Sequence, residues 1–261
     1  QTEAALERVA FELAEDMAED GVTCGEIRFA PQFSTERGLT QRQVTEAVGR
    51  GVCRGMEEHP SLRLGLILCC MRGDDRETER RNRETVELAA EMKDGGIVCG
   101  VDLAGAEEVY DTGLFRDLFA QVRRYGLNRT IHAGEAAGPD SVWKALELGA
   151  MRIGHGIAAA KDEKLMQELA DRKIPLEVCI TSNVQTKGVP SLEEHPIRKL
   201  YEAGVRVTIN TDNRTVSDTT MTKELRLARE VLGFQEEDIR RMEEYAAEGS
   251  FLGRQTGRSR G

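Results

Sequence analysis

The chain has 261 residues, 39% hydrophobic and 31% charged, and its 36 Lys and Arg against 46 Asp and Glu give a net charge of −10. That length excludes a small stapled fold and suits one large domain or two modest ones. The acidic balance excludes nucleic acid and anionic membranes as partners, since both want a basic face, and no apolar run reaches the roughly 20 residues of a bilayer span.

In chain order, Gln1–Asp20 reads as an acidic amphipathic helix, so no signal peptide is expected. Short Val- and Ile-rich runs then alternate with helical stretches of mixed charge. A strand is expected over Gly25–Pro31, a helix over Leu39–Glu58, a strand over Leu62–Met71 and a helix over Glu77–Asp94. A strand over Ile97–Gly105 precedes a helix over Thr112–Tyr125, and a strand over Asn128–Glu135 precedes one over Pro139–Leu148. The pattern continues with strand Met151–Gly156, helix Asp162–Arg172, strand Ile174–Asn183 and helix Pro196–Ala203. Strand Val205–Asn213 and helix Thr222–Leu232 complete it. Gly149 and Gly204 fall where helices stop, as C-terminal caps. The Arg/Gly-rich tail after Phe251 is expected to fray.

Strands this continuously apolar are buried on both faces, which points to a parallel sheet covered by helices. Regular βα repetition fits a (β/α)8 barrel or a doubly wound sheet. No low-complexity linker divides the chain, so 1–261 is expected to be a single domain. Seven strands are visible where a closed barrel needs eight. The missing one is expected upstream of Gln1, which makes the chain N-terminally incomplete. The six cysteines form no CxxC pair and lie mostly in apolar runs, as reduced core residues of a cytoplasmic protein.

Most strands end in polar residues. Asp102 lies near the end of the third, and His132 and Glu135 close the fourth. His155 closes the fifth, Thr181-Ser182-Asn183 the sixth and Thr211-Asp212-Asn213 the seventh. Any one polar tip is explained by a strand reaching solvent. Four ending in His, Glu, His and Asp are not, because such groups seldom sit beside apolar runs unpaired. In a parallel barrel all the strand carboxyl ends open on one face, where barrel enzymes do their chemistry. His132 and Asp212 are nitrogen and oxygen donors suited to Zn2+. Ala133-Gly134 permits a turn that brings Glu135 to the same side as a general acid or base. His155, between two glycines, can approach a substrate closely. A metal lowers the pKa of bound water, so the set reads as metal-assisted hydrolysis. A catalytic zinc usually has three protein ligands, and two are visible.

The stretches "VDLAGAE", "TIHAGE", "RIGHG", "TSNVQT" and "VTINTDNRTVS" resemble the adenosine deaminase family of the metal-dependent amidohydrolases, especially its bacterial members. The resemblance runs from about Gln1 to Leu252, with the motifs in the family's order. It implies a TIM (β/α)8 barrel with one zinc ion per chain. The implied reaction is hydrolytic removal of the 6-amino group of adenosine or deoxyadenosine, which makes a purine nucleoside the small-molecule partner. It further implies His132 and Asp212 as zinc ligands, Glu135 as proton donor to purine N1, and His155 orienting or deprotonating the attacking water. Gly105 would contact the nucleoside through its backbone.

Two departures stand out. The family's His-x-His pair on the first strand is absent: His59 and His195 lie in charged, Pro-flanked turns and read as ordinary surface residues. For the chain as it stands, weak zinc binding and little or no deamination are expected. Asn213 stands where many relatives have a second Asp; a carboxamide can donate to purine N7, an acceptor, so it suits substrate binding. Ile180 also stands where Pro is expected. Two other readings remain: a barrel remnant that keeps the fold without catalysis, and a deaminase of another aminopurine. A phosphorylated substrate would want basic residues at the strand ends, where only Arg152 and Arg214 are nearby. Cytidine-type zinc deaminases are excluded by the lack of their H-x-E and P-C-x-x-C elements.

Overall fold

The structure, a computed structural model, describes residues 1–252. The tail expected to fray lies, from residue 253 on, outside the described residues. The chain divides into two compact units: residues 1–104, 117–129 and from 250 on, and residues 105–116 and 130–249.

The first unit holds α1 (Glu3–Glu19), β1 (Cys24–Phe29), α2 (Gln41–Glu58), β2 (Arg63–Met71), α3 (Arg76–Met92), β3 (Val98–Ala104) and most of α4 (Arg116–Arg124). Its three strands are parallel and lie in the order β1-β2-β3. The caps are written in the sequence. Thr40 and Gln43 form a reciprocal capping box at the start of α2, and Asp75 accepts from the amides of Glu77 and Thr78 at the start of α3. Asp102, buried at the end of β3, is paired with Arg28 of β1 at 3.2 Å.

Small residues let α1 and α2 approach closely. A side chain on Gly51 would collide with the Glu7 carbonyl oxygen and lie 2.9 Å from Ala10 Cβ, and one on Gly55 would collide with Ala14 Cβ. Alanine gains about 1 kcal/mol over glycine inside a helix. Overpacking against a backbone that cannot rotate away costs about 1–3 kcal/mol. Gly51→Ala is therefore expected to lower the urea midpoint. Gly49→Ala, with its nearest neighbour 3.8 Å away, is expected to raise it. A rise for both would refute the close approach.

Strand glycines serve a different end. Phe251 is fully buried and occupies the space a side chain on Gly100 would need, while Leu252 does the same at Gly65. Glu26 of β1 ties this segment down by accepting from the Phe251 amide at 2.6 Å and the Ser250 hydroxyl at 2.9 Å.

The second unit holds β4 (Thr130–Ala133), α5 (Pro139–Glu147), β5 (Arg152–His155), α6 (Glu163–Asp171), β6 (Leu176–Val178), α7 (Ile180–Gln185), α8 (Ile197–Glu202), β7 (Val207–Ile209), α9 (Arg214–Ser217), α10 (Met221–Glu230) and α11 (Glu236–Gly249). Its strands are parallel in the order β4-β5-β6-β7. Chain order equals spatial order, so every link is a crossover and all four carboxyl ends lie along one edge. At the other end lies a buried ion pair: Arg152, first in β5, meets Glu177 of β6 at 2.6 Å, each side chain 7% exposed. Thr130 Oγ1 donates to the same carboxylate at 3.1 Å, and Arg152 donates to the Gly249 carbonyl at 3.1 Å. Arg152 is thus not a strand-end cation.

Several expectations need correction. The sixth strand stops at Val178, and Thr181-Ser182-Asn183 stand on the first turn of α7. Ile180 is the first residue of that helix, the position where proline is also well tolerated. Helix α11 was not expected at all. Among the cysteines, Cys69, Cys70, Cys99 and Cys179 are buried, but Cys24 and Cys53 are exposed; all six are free thiols. Gly149 and Gly204 have φ of 85° and 81°, as C-terminal caps require.

Candidate active site

All six sequence-derived site residues fall in the second unit. The pairing of β4 with β5 sets Ala133 opposite His155 and His132 opposite Gly154. The two imidazole rings consequently lie side by side, 5.1 Å apart and tilted by 60°. Gly154 makes room: a side chain there would come within 3.1 Å of His132 Cα, Cγ and Nδ1. Gly156 has φ of 68°, and a side chain would collide with Leu176. The glycines around His155 thus serve packing by their neighbours rather than an open approach.

The chain turns sharply after His132. Gly134 has φ of 75°, the left-handed region glycine adopts without penalty. That turn brings Glu135 Oε2 to 3.4 Å from His155 Nε2, and Glu135 Oε1 accepts from the Thr186 hydroxyl at 2.9 Å. Glu107 fixes the backbone around it. This buried carboxylate accepts from four consecutive amides: Gly134, Glu135 at 3.0 Å, Ala136 at 2.9 Å and Ala137 at 3.2 Å. Successive amides facing one anion form a concave donor site, here filled by the protein's own side chain.

The first turn of α7 supplies three consecutive contacts. Thr181 is held by the buried Glu224 through its amide and hydroxyl. The Ser182 hydroxyl donates to Asp212 Oδ2 at 2.7 Å. Asn183, fully buried, lies 2.9 Å from His155 Nδ1. Asp212 has φ of 55°, a backbone state that costs a non-glycine residue energy and is found at functional sites more than elsewhere. Asn213 caps α9, its Oδ1 accepting from the Val216 amide at 3.0 Å, so its NH2 is the end left to donate to a ligand. Gly105 is exposed with φ of 105°.

His195 overturns the surface reading. The residue is 4% exposed, and burial lowers its pKa to about 4, so it is neutral at neutral pH. It contacts Asn183. His59 is half-buried at the C-terminal end of α2.

The sequence profile of the adenosine deaminase family matches residues 1–259. The chain belongs to the adenosine deaminase family. It is 43% identical to an adenosine deaminase of Haemophilus ducreyi over 233 residues, 88% of this chain and 67% of that protein. The chain spans about two thirds of the length of such curated relatives. Among solved structures it is similar to an adenine deaminase from Arthrobacter aurescens, with a TM-score of 0.88 and 26% identity over 96% of this chain and 75% of that one. An amidohydrolase from Burkholderia ambifaria, solved with bound zinc, shares the fold at a TM-score of 0.87 and 22% identity, over 95% of this chain and 69% of that one. The fold class is therefore the α/β class of the (β/α)8 barrels, with seven parallel strands among the described residues.

Members of the adenosine deaminase family are metal-dependent hydrolases acting on the C–N bond of a cyclic amidine. Among the described residues no group of three or more His, Cys, Asp or Glu side chains is arranged to hold a metal ion. A catalytic zinc takes three protein ligands, so His132 and Asp212 do not by themselves make such a centre. Nor is any helix among the described residues long and apolar enough to cross a membrane. Sequence reasoning missed Glu107, Asn183 as a partner of His155, and His195. Glu107 lies inside the "VDLAGAE" stretch, which was a usable signal.

Proposed function

We propose that the protein carrying this chain deaminates adenosine or deoxyadenosine hydrolytically, with Glu135 and His155 as its catalytic residues. The observation that carries the proposal is the convergence of Glu135 and His155, 3.4 Å apart at the ends of adjacent strands, on a backbone braced by Glu107.

Purine N1 is an acceptor, and a proton delivered there by the Glu135 carboxyl draws electron density from C6. Water adds at C6 through its oxygen; one of its protons goes to the amino group, which leaves as ammonia when the C6–N bond breaks, and the other restores the Glu135 carboxyl, with inosine or deoxyinosine as the other product. The Thr186 hydroxyl holds one oxygen of Glu135, which leaves the other for the exchange of protons. His155 orients or deprotonates the water. The Gly105 backbone contacts the nucleoside, and the Asn213 NH2 donates to purine N7. Zinc, one ion per chain, is the metal this reading calls for, with His132 and Asp212 among its ligands. The ion pair between Arg152 and Glu177 removes Arg152 as a phosphate anchor, which favours an unphosphorylated substrate. A cytoplasmic location goes with six free thiols.

The test is ammonia release from adenosine, deoxyadenosine, adenine and AMP by the protein isolated with its metal. Release is expected from the two nucleosides, and His132→Ala is expected to lower metal content measured by elemental analysis. Preference for AMP or adenine would overturn the substrate, and unchanged metal content would remove His132 from the ligands.

A further inference from the structure

Asn183 stands between two histidines and a carboxylate. Its Nδ2 lies 2.9 Å from His155 Nδ1 and 3.5 Å from Glu135 Oε1, and its Oδ1 lies 3.4 Å from His195 Nε2. At the far side of His195, the Ile197 backbone N–H donates to Nδ1 at 3.2 Å.

The donor logic of this row has one solution. A backbone N–H only donates, so His195 Nδ1 accepts and the proton of the neutral ring sits on Nε2. That N–H faces Asn183 Oδ1 and sets which way the carboxamide points. Its NH2 then donates to His155 Nδ1 and faces Glu135. The neutral His155 ring therefore carries its proton on Nε2, the nitrogen 3.4 Å from Glu135 Oε2. The 3.4 and 3.5 Å links are long and weak; the 3.2 Å link from the Ile197 N–H sets the direction, and the 2.9 Å link passes it on to His155. A buried imidazole costs free energy unless its polar atoms are satisfied. An apolar side chain would fill the same space without that cost, so packing alone does not explain a histidine here.

We infer that His195 is a positioning residue: acting through Asn183, it holds His155 in the Nε2–H tautomer, so that His155 meets the reacting atoms as a hydrogen-bond donor and not as a base. This decides between the two roles that the resemblance leaves open for His155. The catalytic half of the statement rests on the proposed deamination; the tautomer half does not.

The test is ¹⁵N spectroscopy of the imidazoles. The chain has four histidines, so single variants assign them. Wild-type His155 is expected in the Nε2–H form alone. In His195→Ala both tautomers of His155 are expected. In the same variant kcat is expected to fall about 10–100-fold, the usual effect of losing a group that orients a functional side chain, with KM nearly unchanged. His195→Gln can still donate to Asn183 and accept from Ile197, and is expected to restore both readouts. Retention of the pure Nε2–H form in His195→Ala would overturn the inference, as would a His195→Gln variant as impaired as His195→Ala. Should His195→Ala not fold, Asn183→Asp serves: a carboxylate cannot donate to Nδ1, so His155 is expected to place a proton there. An unchanged spectrum in that variant refutes the row. A tautomer shift in a protein that deaminates nothing would uphold the positioning and refute the proposed function.

Discussion

Glu135→Gln is expected to reduce deamination by about 100–10,000-fold, the range typical of a lost general acid, while leaving the melting temperature nearly unchanged. The substitution keeps the volume and removes the transferable proton. The new amide must turn its nitrogen toward one of the groups that now donate to the carboxylate. Thr186 tolerates this best, because a hydroxyl can accept as well as donate. Its oxygen then still faces His155 Nε2. The side chain is 21% exposed, so little burial energy is at stake. Steady-state kinetics beside a thermal melt checks this. A variant that keeps its turnover removes Glu135 from the reaction, and one that loses turnover and fold together makes the residue structural.

Arg152→Met is expected to cost about 3–5 kcal/mol of stability, because it leaves the Glu177 carboxylate buried without its cation. It also takes a donor from the Gly249 carbonyl. Arg152→Met combined with Glu177→Met is expected to recover much of that loss, since two apolar side chains replace both charges at once. Thr130, left without its carboxylate, limits the recovery; its hydroxyl still reaches the Arg152 carbonyl at 3.3 Å. Urea midpoints of both single variants and the double close the cycle. Strict additivity would show that the ion pair contributes nothing of its own.

The βα rhythm was legible because parallel strands are buried on both faces and read as unbroken Val and Ile runs. The same signal misled at Ile174–Asn183. Ile180 and Thr181 are β-branched and suit a strand locally, yet the chain turns into α7 there. Helix α11 was hidden by its charge, although Ile239 and Met242 sit three apart on its buried side and acids fill its first turn. His132, Glu135, His155 and Asp212 could be chosen because strand ends are readable. Their supports could not. Glu107 reaches the turn at Gly134 from 27 residues away, and His155 meets Asn183 across 28. His195 sits among Glu193, Glu194 and Pro196, with both glutamates exposed while the ring between them and Ile197 turns inward. Local polarity says nothing about which member of such a run is swallowed.

The seating of Phe251 against Gly100 has a consequence for synthesis. Phe251 bonds to Glu26 across 225 positions of chain. At the usual ribosomal pace of about 5–20 residues per second, about 8–30 seconds separate Gly100 from Phe251. Throughout that interval the nascent sheet of β1, β2 and β3 carries an unfilled apolar hollow. The sheet of the first unit is therefore made well before the segment that seals it.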